Sequence, residues 1–435
     1  MTESHAVLMD ARPEGAVTGA TQERRWLFID GASAFGGHEV MLLRWLEELA
    51  AQRAAQCFLL ARSESVLARE AVRNATVLAL PKEGTGAIAR WIGAARDAAA
   101  TIRAVSSIRP QLCVIAEGCL LAQPLFAVLG RLLRCRVVIY VPLVQTSVSM
   151  GFGSGRLRDA LVRRWYARVP HAWVTITEEQ AKDFRQWARV RRPIFVLPNT
   201  VASAIENHGT EVPSSGLRSS RRKSGSHSAP SHAPCQPLSR LASGQRGDER
   251  LHIVVLGRIE AHQKGLDLLL AFLAAHPGFG AGMTVTLVGS GPYEAEVRAR
   301  LSQDAALAAW VSVQPWSPTV DALTAHDVLL MTSRYEGVPL VMLEAMALGV
   351  PVVAPDLHGT RPFLNEADLF PPMDIEAAFR RLERLADPTA RAAVAERNRA
   401  HFEASASSAA FAASVRTLSQ KLELLAPASR RRRRA

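Results

Sequence analysis

Short apolar runs alternate with helical patterns along almost the whole chain, and this alternation restricts the fold more than any other feature. Residues 25–30 (RWLFID) are too few for a buried helix; Gly36 and Gly37 follow, and Val40, Leu43, Leu46 and Leu49 then recur at helical spacing. The order is strand, loop, helix. Further runs at 56–60, 112–116, 137–141 and 173–177 are separated by helical stretches such as 88–105 and 155–169. Strands joined through helices run parallel, so residues 24–205 are expected to form one doubly wound α/β domain.

Between residues 206 and 250 Ser, Pro, Gly, His and Arg replace the aliphatic periodicity, and no aromatic residue occurs. Such a segment has too little apolar surface to offset chain entropy, and it is expected to be a disordered basic linker or insertion. The alternation then resumes, with strands at 252–256, 284–288, 310–313, 328–332 and 351–354 and helices at 265–276, 293–301, 318–325 and 340–348. Ser317 and Pro318 suit the N-cap and first turn of the third of these helices. Residues 251–400 therefore read as a second doubly wound domain, 401–425 as a C-terminal helix returning to the first, and 426–435 as a disordered Arg-rich tail. A length of 435 residues suits two domains. Their ligand belongs in the cleft between them, at the carboxyl ends of the strands.

The net charge of +12 is unevenly placed: +5 in Arg430–Arg434, +3 over 206–250 and +6 over 151–200. A general nucleic-acid binder would spread its charge differently, so no nucleic acid is expected as a partner. The 151–200 patch can meet phosphates or an anionic membrane surface. Within it, residues 155–169 (GRLRDALVRRWYARV) place Leu157, Ala160, Leu161, Trp165 and Val169 near one helical face, with Arg156, Arg158, Arg163, Arg164 and Arg168 around them. Two readings stand: an interfacial helix, or a helix whose apolar stripe faces its own sheet. No stretch offers the roughly 20 apolar residues that span a bilayer. Residues 1–20 lack a signal peptide's basic start and apolar centre. The five cysteines, Cys57, Cys113, Cys119, Cys135 and Cys235, have no zinc or disulfide spacing and fit a reducing cytoplasm. A cytoplasmic protein, peripheral at most to the membrane's inner face, is the expectation.

Residues 333–349 (SRYEGVPLVMLEAMALG) carry the most chemistry. Glu336 falls in the loop after a strand and Glu344 lies eight residues on, in the next helix. Two carboxylates thus flank a helix N-terminus, whose free N–H groups suit a phosphate while the carboxylates accept from sugar and ribose hydroxyls. Arg258 and Lys264 lie in another glycine-bounded loop before a helix (GRIEAHQKGLDLLLAF), where Arg grips phosphate bidentately and Lys acts as a point charge. Gly36 and Gly37 let backbone N–H groups approach a ligand, or form a plain turn. Neither a DxD motif nor a His/Asp/Glu cluster is apparent, so no metal is expected.

Residues 333–349 resemble the E-x7-E signature of retaining glycosyltransferases of family 4, the glycosyl transferases group 1, which have the GT-B fold. Gly257-Arg258 and Lys264-Gly265 resemble that family's first C-domain loop, Gly289-Ser290-Gly291-Pro292 its G-x-G-P turn, and Gly36-Gly37-His38-Glu39 its N-domain Gly-Gly loop. The resemblance implies two Rossmann-like domains facing a cleft, a nucleotide diphosphate sugar as donor, no further cofactor, and a saccharide or lipid-linked acceptor. It puts Glu336, Arg258 and Lys264 at the reacting sugar and diphosphate. Gly36, Gly37, Gly257, Gly337, Val338, Leu340 and Glu344 join Arg258 and Lys264 in donor binding, with Glu344 on the ribose. The chain departs from the family at Pro142-Leu143-Val144-Gln145, where relatives carry a histidine, and after Asp356, where LHGTRPFL lacks a common Glu. His38 or His358 are candidate substitutes, and Trp316 is either a stacking platform for the base or a core residue. A nucleotide-sugar epimerase of the same fold and a catalytically silent sugar-nucleotide binder are the alternatives. Donor sugar, base, acceptor and linkage are not encoded legibly.

Overall fold

A computed structural model of the chain describes residues 24–33, 35–82, 87–210 and 249–425. The start of the chain, most of the expected linker (211–248, with Cys235) and the Arg-rich tail lie outside the described residues.

The first domain runs β1 (Arg25–Asp30), α1 (Gly37–Ala51), β2 (Gln56–Arg62), α2 (Val66–Ala71), β3 (Thr76–Leu80), α3 (Ala87–Ile108), β4 (Leu112–Ala116), α4 (Pro124–Leu132), β5 (Arg136–Tyr140), α5 (Gly155–Arg164), β6 (Ala172–Thr175), α6 (Glu178–Trp187), β7 (Ile194–Val196) and α7 (Ser203–Thr210). Its sheet is parallel in the order β3-β2-β1-β4-β5-β6-β7. Because successive strand residues point to opposite faces, Trp26 and Phe28 join the core under α1 and α2, while Leu27 and Ile29 join the core under α3 to α6. All five residues of β4 are buried, which is why parallel strands read as continuous apolar runs.

The second domain follows with β8 (Leu251–Leu256), α8 (Leu266–Ala275), β9 (Met283–Val288), α9 (Glu294–Gln303), α10 (Ala305–Ala308), β10 (Val311–Gln314), α11 (Thr319–Thr324), β11 (Val328–Leu330), α12 (Leu340–Ala347), β12 (Val352–Pro355), β13 (Leu369–Phe370), α13 (Ile375–Arg384), α14 (Pro388–Ser405) and α15 (Ser408–Leu425). Its sheet order is β10-β9-β8-β11-β12-β13. Two doubly wound α/β domains are therefore present, as the alternation implies. α15 lies on α1: Gln52 Nε2 donates to Ala412 O at 2.8 Å, Arg24 meets Glu423 at 2.6 Å, and Phe411, Val415 and Leu418 share the core of Trp45 and Leu49.

Several local expectations differ. Pro318 is itself the N-cap of α11, so Ser317 stands one residue too early to cap it. α5 stops at Arg164 and a 3-10 turn, Tyr166–Arg168, replaces its expected last turn. α7 runs past residue 206, where the linker was expected to begin, and two helices broken at Ala406-Ser407 occupy the C-terminal stretch. β7 and β13 escape the sequence reading because they are short, and β3 because it is a sheet-edge strand that is only partly buried. Among the described residues no helix is long and apolar enough to cross a membrane.

Candidate active site

A cavity of about 370 Å³ lies between the domains, lined on one side by Gly37, His38, Gly118, Pro142, Leu143 and Asn199, and on the other by the β8 and β11 loops and the start of α12. Its C-domain wall is rigid for reasons that can be traced. After β8 the chain forms a loop whose backbone is gathered by Glu260: the N–H groups of His262, Gln263 and Lys264 donate to its carboxylate at 3.0, 2.6 and 3.3 Å. Arg334 fastens the same loop from β11, donating to His262 O at 2.7 Å and forking onto both oxygens of Asp267 at 2.7 Å. That guanidinium holds the Asp267 carboxyl below its ordinary range. Gly265 adopts φ +69°, and a Cβ there would sit 2.1 Å from Thr332 O, so only glycine lets the loop close on the strand end.

This scaffold aims Lys264 across the loop, where Nζ meets Glu336 Oε1 at 2.5 Å; Ser333 Oγ donates to the same oxygen at 2.8 Å. Glu336 is 9% exposed, a buried carboxylate with a cation and a hydroxyl in place. Gly337, Val338 and Leu340 follow along the cavity, and the chain enters α12 at Pro339. Asn199 of the N-domain donates to Val338 O at 2.8 Å, tying the domains at this loop. Glu344 also lines the cavity. Burial pushes its carboxyl up to about 7, against a hydrogen bond from Thr319. Trp316 lines the cavity and is 68% exposed, so it is no core residue.

Gly37 and Gly257 line the cavity, but Gly36 does not: it caps α1, its N–H donating to Glu39 Oε2 at 2.8 Å. Arg258 is also absent from the lining; its exposed guanidinium donates to Gln263 Oε1 at 3.1 Å. The structure brings Lys264, Glu336 and Glu344 onto one cavity, while Arg258 borders an adjoining pocket that Lys264 also lines.

The N-domain wall corrects the sequence reading that no His/Asp/Glu cluster exists. His38 Nδ1 lies 2.9 Å from Glu39 Oε2 and Nε2 3.4 Å from Asp30 Oδ2, and the two carboxylates are buried. Burial alone would lower the His38 pKa, but hydrogen bonds and charge from Asp30 and Glu39 outweigh it and push it up to about 9. The three could in principle surround a metal ion. Asp30 Oδ1 also accepts from Ala32 N and Gln123 Nε2 at 2.8 and 3.1 Å, and Glu39 from Gly36 N, which fixes both carboxylates around the ring. His38 is thus a fixed cation beside the Gly-Gly loop. His358 is elsewhere, bound to Asp183 of α6 across the domain boundary.

Comparison with known proteins agrees with this geometry. The sequence model of the family described as Glycosyl transferases group 1 matches residues 250–387. The chain is 36% identical over 108 residues to the lipopolysaccharide core biosynthesis mannosyltransferase LpsB of Rhizobium meliloti (strain 1021), covering 23% of this chain and 30% of that protein. It is 31% identical over 153 residues to a GDP-mannose-dependent monoacylated alpha-(1-6)-phosphatidylinositol monomannoside mannosyltransferase of Corynebacterium glutamicum, covering 33% of this chain and 40% of that protein. These matches thus span well under half of the relatives' own length. Among solved structures, Anabaena Alr3699/HepE in complex with UDP and glucose superposes with a TM-score of 0.64 at 15% identity, covering 92% of this chain and 99% of that one. Sucrose-phosphate synthase from Thermosynechococcus elongatus superposes with 0.66 at 17% identity, covering 92% and 100%. Residues 250–387 accordingly match the glycosyl transferases group 1 family model, on a chain whose two domains have the GT-B fold of the superposed structures.

Proposed function

We propose that the chain is a glycosyltransferase that moves a hexosyl unit from a nucleotide diphosphate sugar to a hydroxyl of a saccharide or lipid-linked glycan, with retention at the anomeric carbon. The observation that carries this is the Lys264–Glu336 contact at the mouth of α12, inside a cleft that also holds Glu344 and an open Trp316 face. Breaking the anomeric C–O bond leaves negative charge on the diphosphate, and a fixed ammonium beside a helix N-terminus stabilises that charge as it develops. Trp316 offers a face for the base, Glu344 an acceptor for ribose hydroxyls, and Glu336 an acceptor at the transferred sugar. Retention is proposed on the resemblance of residues 333–349 to the E-x7-E signature, and the cavity bears on the route by which it would occur. Among the described residues the carboxylates lining the cavity are Glu336 and Glu344, both from the C-domain, whereas a double displacement needs an acid on each side of the sugar, about 5 Å apart. Attack on the face from which the diphosphate leaves is the reading that fits. The relatives named for mannosyl transfer to lipopolysaccharide core and to phosphatidylinositol monomannoside make such acceptors the ones to try first.

A screen of nucleotide sugars by thermal protection and donor hydrolysis tests the proposal. One donor is expected to protect and to be slowly hydrolysed, and the acceptor product to keep the donor's anomeric configuration by NMR. Protection without turnover would leave a binding protein, and an inverted product would end the retention reading. EDTA is expected to leave the rate nearly unchanged, because Lys264 and the α12 N-terminus supply the positive charge; full dependence on a divalent ion would overturn that.

Glu344 makes a pH prediction. With a pKa of about 7 in the free protein, it is mostly protonated at pH 6 and mostly ionised at pH 8, and ribose hydroxyls donate better to the ionised form. Donor affinity is expected to weaken several-fold from pH 8 to pH 6, and Glu344→Gln to weaken it at both and flatten the profile. Equal affinity at the two pH values in the parent protein would remove Glu344 from the ribose.

A further inference from the structure

The outer helix layer of the N-domain is the largest feature that the cleft does not use. α3, α4 and α5 cover one face of the sheet, and Ala104, Phe126 and Val162 on their inner sides share one core. Each also carries apolar side chains outward at helical spacing: Trp91 and Ile102 on α3, Leu125 and Leu132 on α4, Leu157 and Leu161 on α5. Trp91 is 80%, Leu132 72% and Leu157 65% exposed. Trp165, at the end of α5, faces Val128 and Leu132 across a surface groove of about 310 Å³ flanked by Arg131 and Arg168. Single exposed apolar residues are ordinary on any protein, but stripes on three adjacent helices are not. The apolar stripe of α5 therefore does not face its own sheet: Asp159 and Val162 do, and Leu157 and Leu161 point away.

The charge of this layer is one-signed. Residues 91–169 contain eleven arginines and three acids, Asp97, Glu117 and Asp159. All three acids are buried, and each is taken: Asp97 by Arg62 at 2.7 Å, Glu117 by the Tyr166 hydroxyl, and Asp159 by the Ser147 N–H at 2.6 Å. No acid of this stretch offsets the exposed Arg96, Arg103, Arg131, Arg163 and Arg164. The edge of the basic region is α6, which opens with Glu178 and Glu179 and whose Asp183 is bound by His358.

We infer that this face seats on an anionic lipid bilayer, its tryptophans and leucines entering the headgroup boundary while the arginines meet lipid phosphates. A nucleic acid would use the arginines but has no place for rows of Leu and Ile; a bilayer uses both. The surface also leads to the reaction site. Pro142 and Leu143 line the cavity, the same loop exposes Val148 and Phe152, and it then enters α5, whose ten residues rise about 15 Å. An acceptor saccharide held on a lipid beneath α5 is thus within reach of the cleft, a point that rests on the glycosyltransferase reading, whereas the docking itself does not.

The test is co-sedimentation of the full chain with vesicles of phosphatidylcholine, with and without phosphatidylglycerol. Binding to the anionic vesicles is expected at low salt, weakened by salt, with none to the neutral ones. Leu132→Glu with Leu157→Glu, and separately Arg163→Glu with Arg164→Glu, are each expected to weaken it at least tenfold while the melting temperature and donor hydrolysis in solution stay as in the parent. The leucine pair separates this surface from the polyarginine tail, which would bind by charge alone. No binding at low salt, leucine variants that bind like the parent, or a dimer dissolved by the same substitutions would overturn the proposal. Vesicle binding without any nucleotide-sugar turnover would support the docking and end the catalytic reading instead.

Discussion

Lys264→Ala is expected to lower transfer at saturating donor by about 100-fold, some 2.7 kcal/mol of transition-state stabilisation, with folding intact. The ammonium is held 2.5 Å from Glu336 Oε1 by a loop that Glu260 and Arg334 fix, so its charge needs no reorganisation when the diphosphate departs. Glu336→Gln is expected to act on turnover as well, because the carboxylate places Lys264 and, on the proposed reading, faces the transferred sugar. Arg258→Ala should cost less than Lys264→Ala, since its guanidinium is exposed and rests on Gln263. Single-turnover rates at saturating donor separate these effects from donor affinity. A Lys264→Ala protein with unchanged turnover and merely weaker donor binding would remove the residue from the transition state.

Gly359→Ala is expected to be nearly as damaging, from outside the cleft. A Cβ on Gly359 would fall 1.3 Å from Gly337 O and 2.4 Å from Gly337 C, and a Cβ on Gly337 would in turn meet Pro142 O at 2.8 Å. Three backbone segments are stacked here without intervening side chains, and backbone has no rotamer by which to yield. The added methyl must push the Glu336–Pro339 loop away from Lys264. Overpacking of this kind costs about 1–3 kcal/mol, read as a fall of several degrees in melting temperature, and transfer should drop at least about tenfold beyond what stability explains. Gly278→Ala, where a Cβ meets nothing within 4 Å, is the control; if the two variants behave alike, the stacking carries no weight in function.

Much of this protein was legible in its residues alone. The strand–helix alternation, the two domains and the loops carrying Lys264 and Glu336 all depend on neighbours within one strand or one helical turn, and those relations survive in a linear string. Glu344 falls on the cavity because eight residues of strand-end loop and helix leave it little other choice. What the tertiary structure decided depends on residues far apart in the chain. Arg334 finds Asp267, Asn199 finds Val338, and Gly359 finds Gly337; none of these pairs has a spacing that a periodicity could reveal. The ion cluster of Asp30, His38 and Glu39 forms because a strand end and a helix start are folded onto each other. The direction of the α5 stripe was likewise undetermined. A helix with two usable faces buries the one that its partners can satisfy, and Asp159 could turn inward because the Ser147 N–H was there to meet it, which left Leu157 and Leu161 outside. Local order follows from sterics and hydrophobic period, whereas pairing and facing follow from which distant groups complete each other's hydrogen bonds and fill the same space.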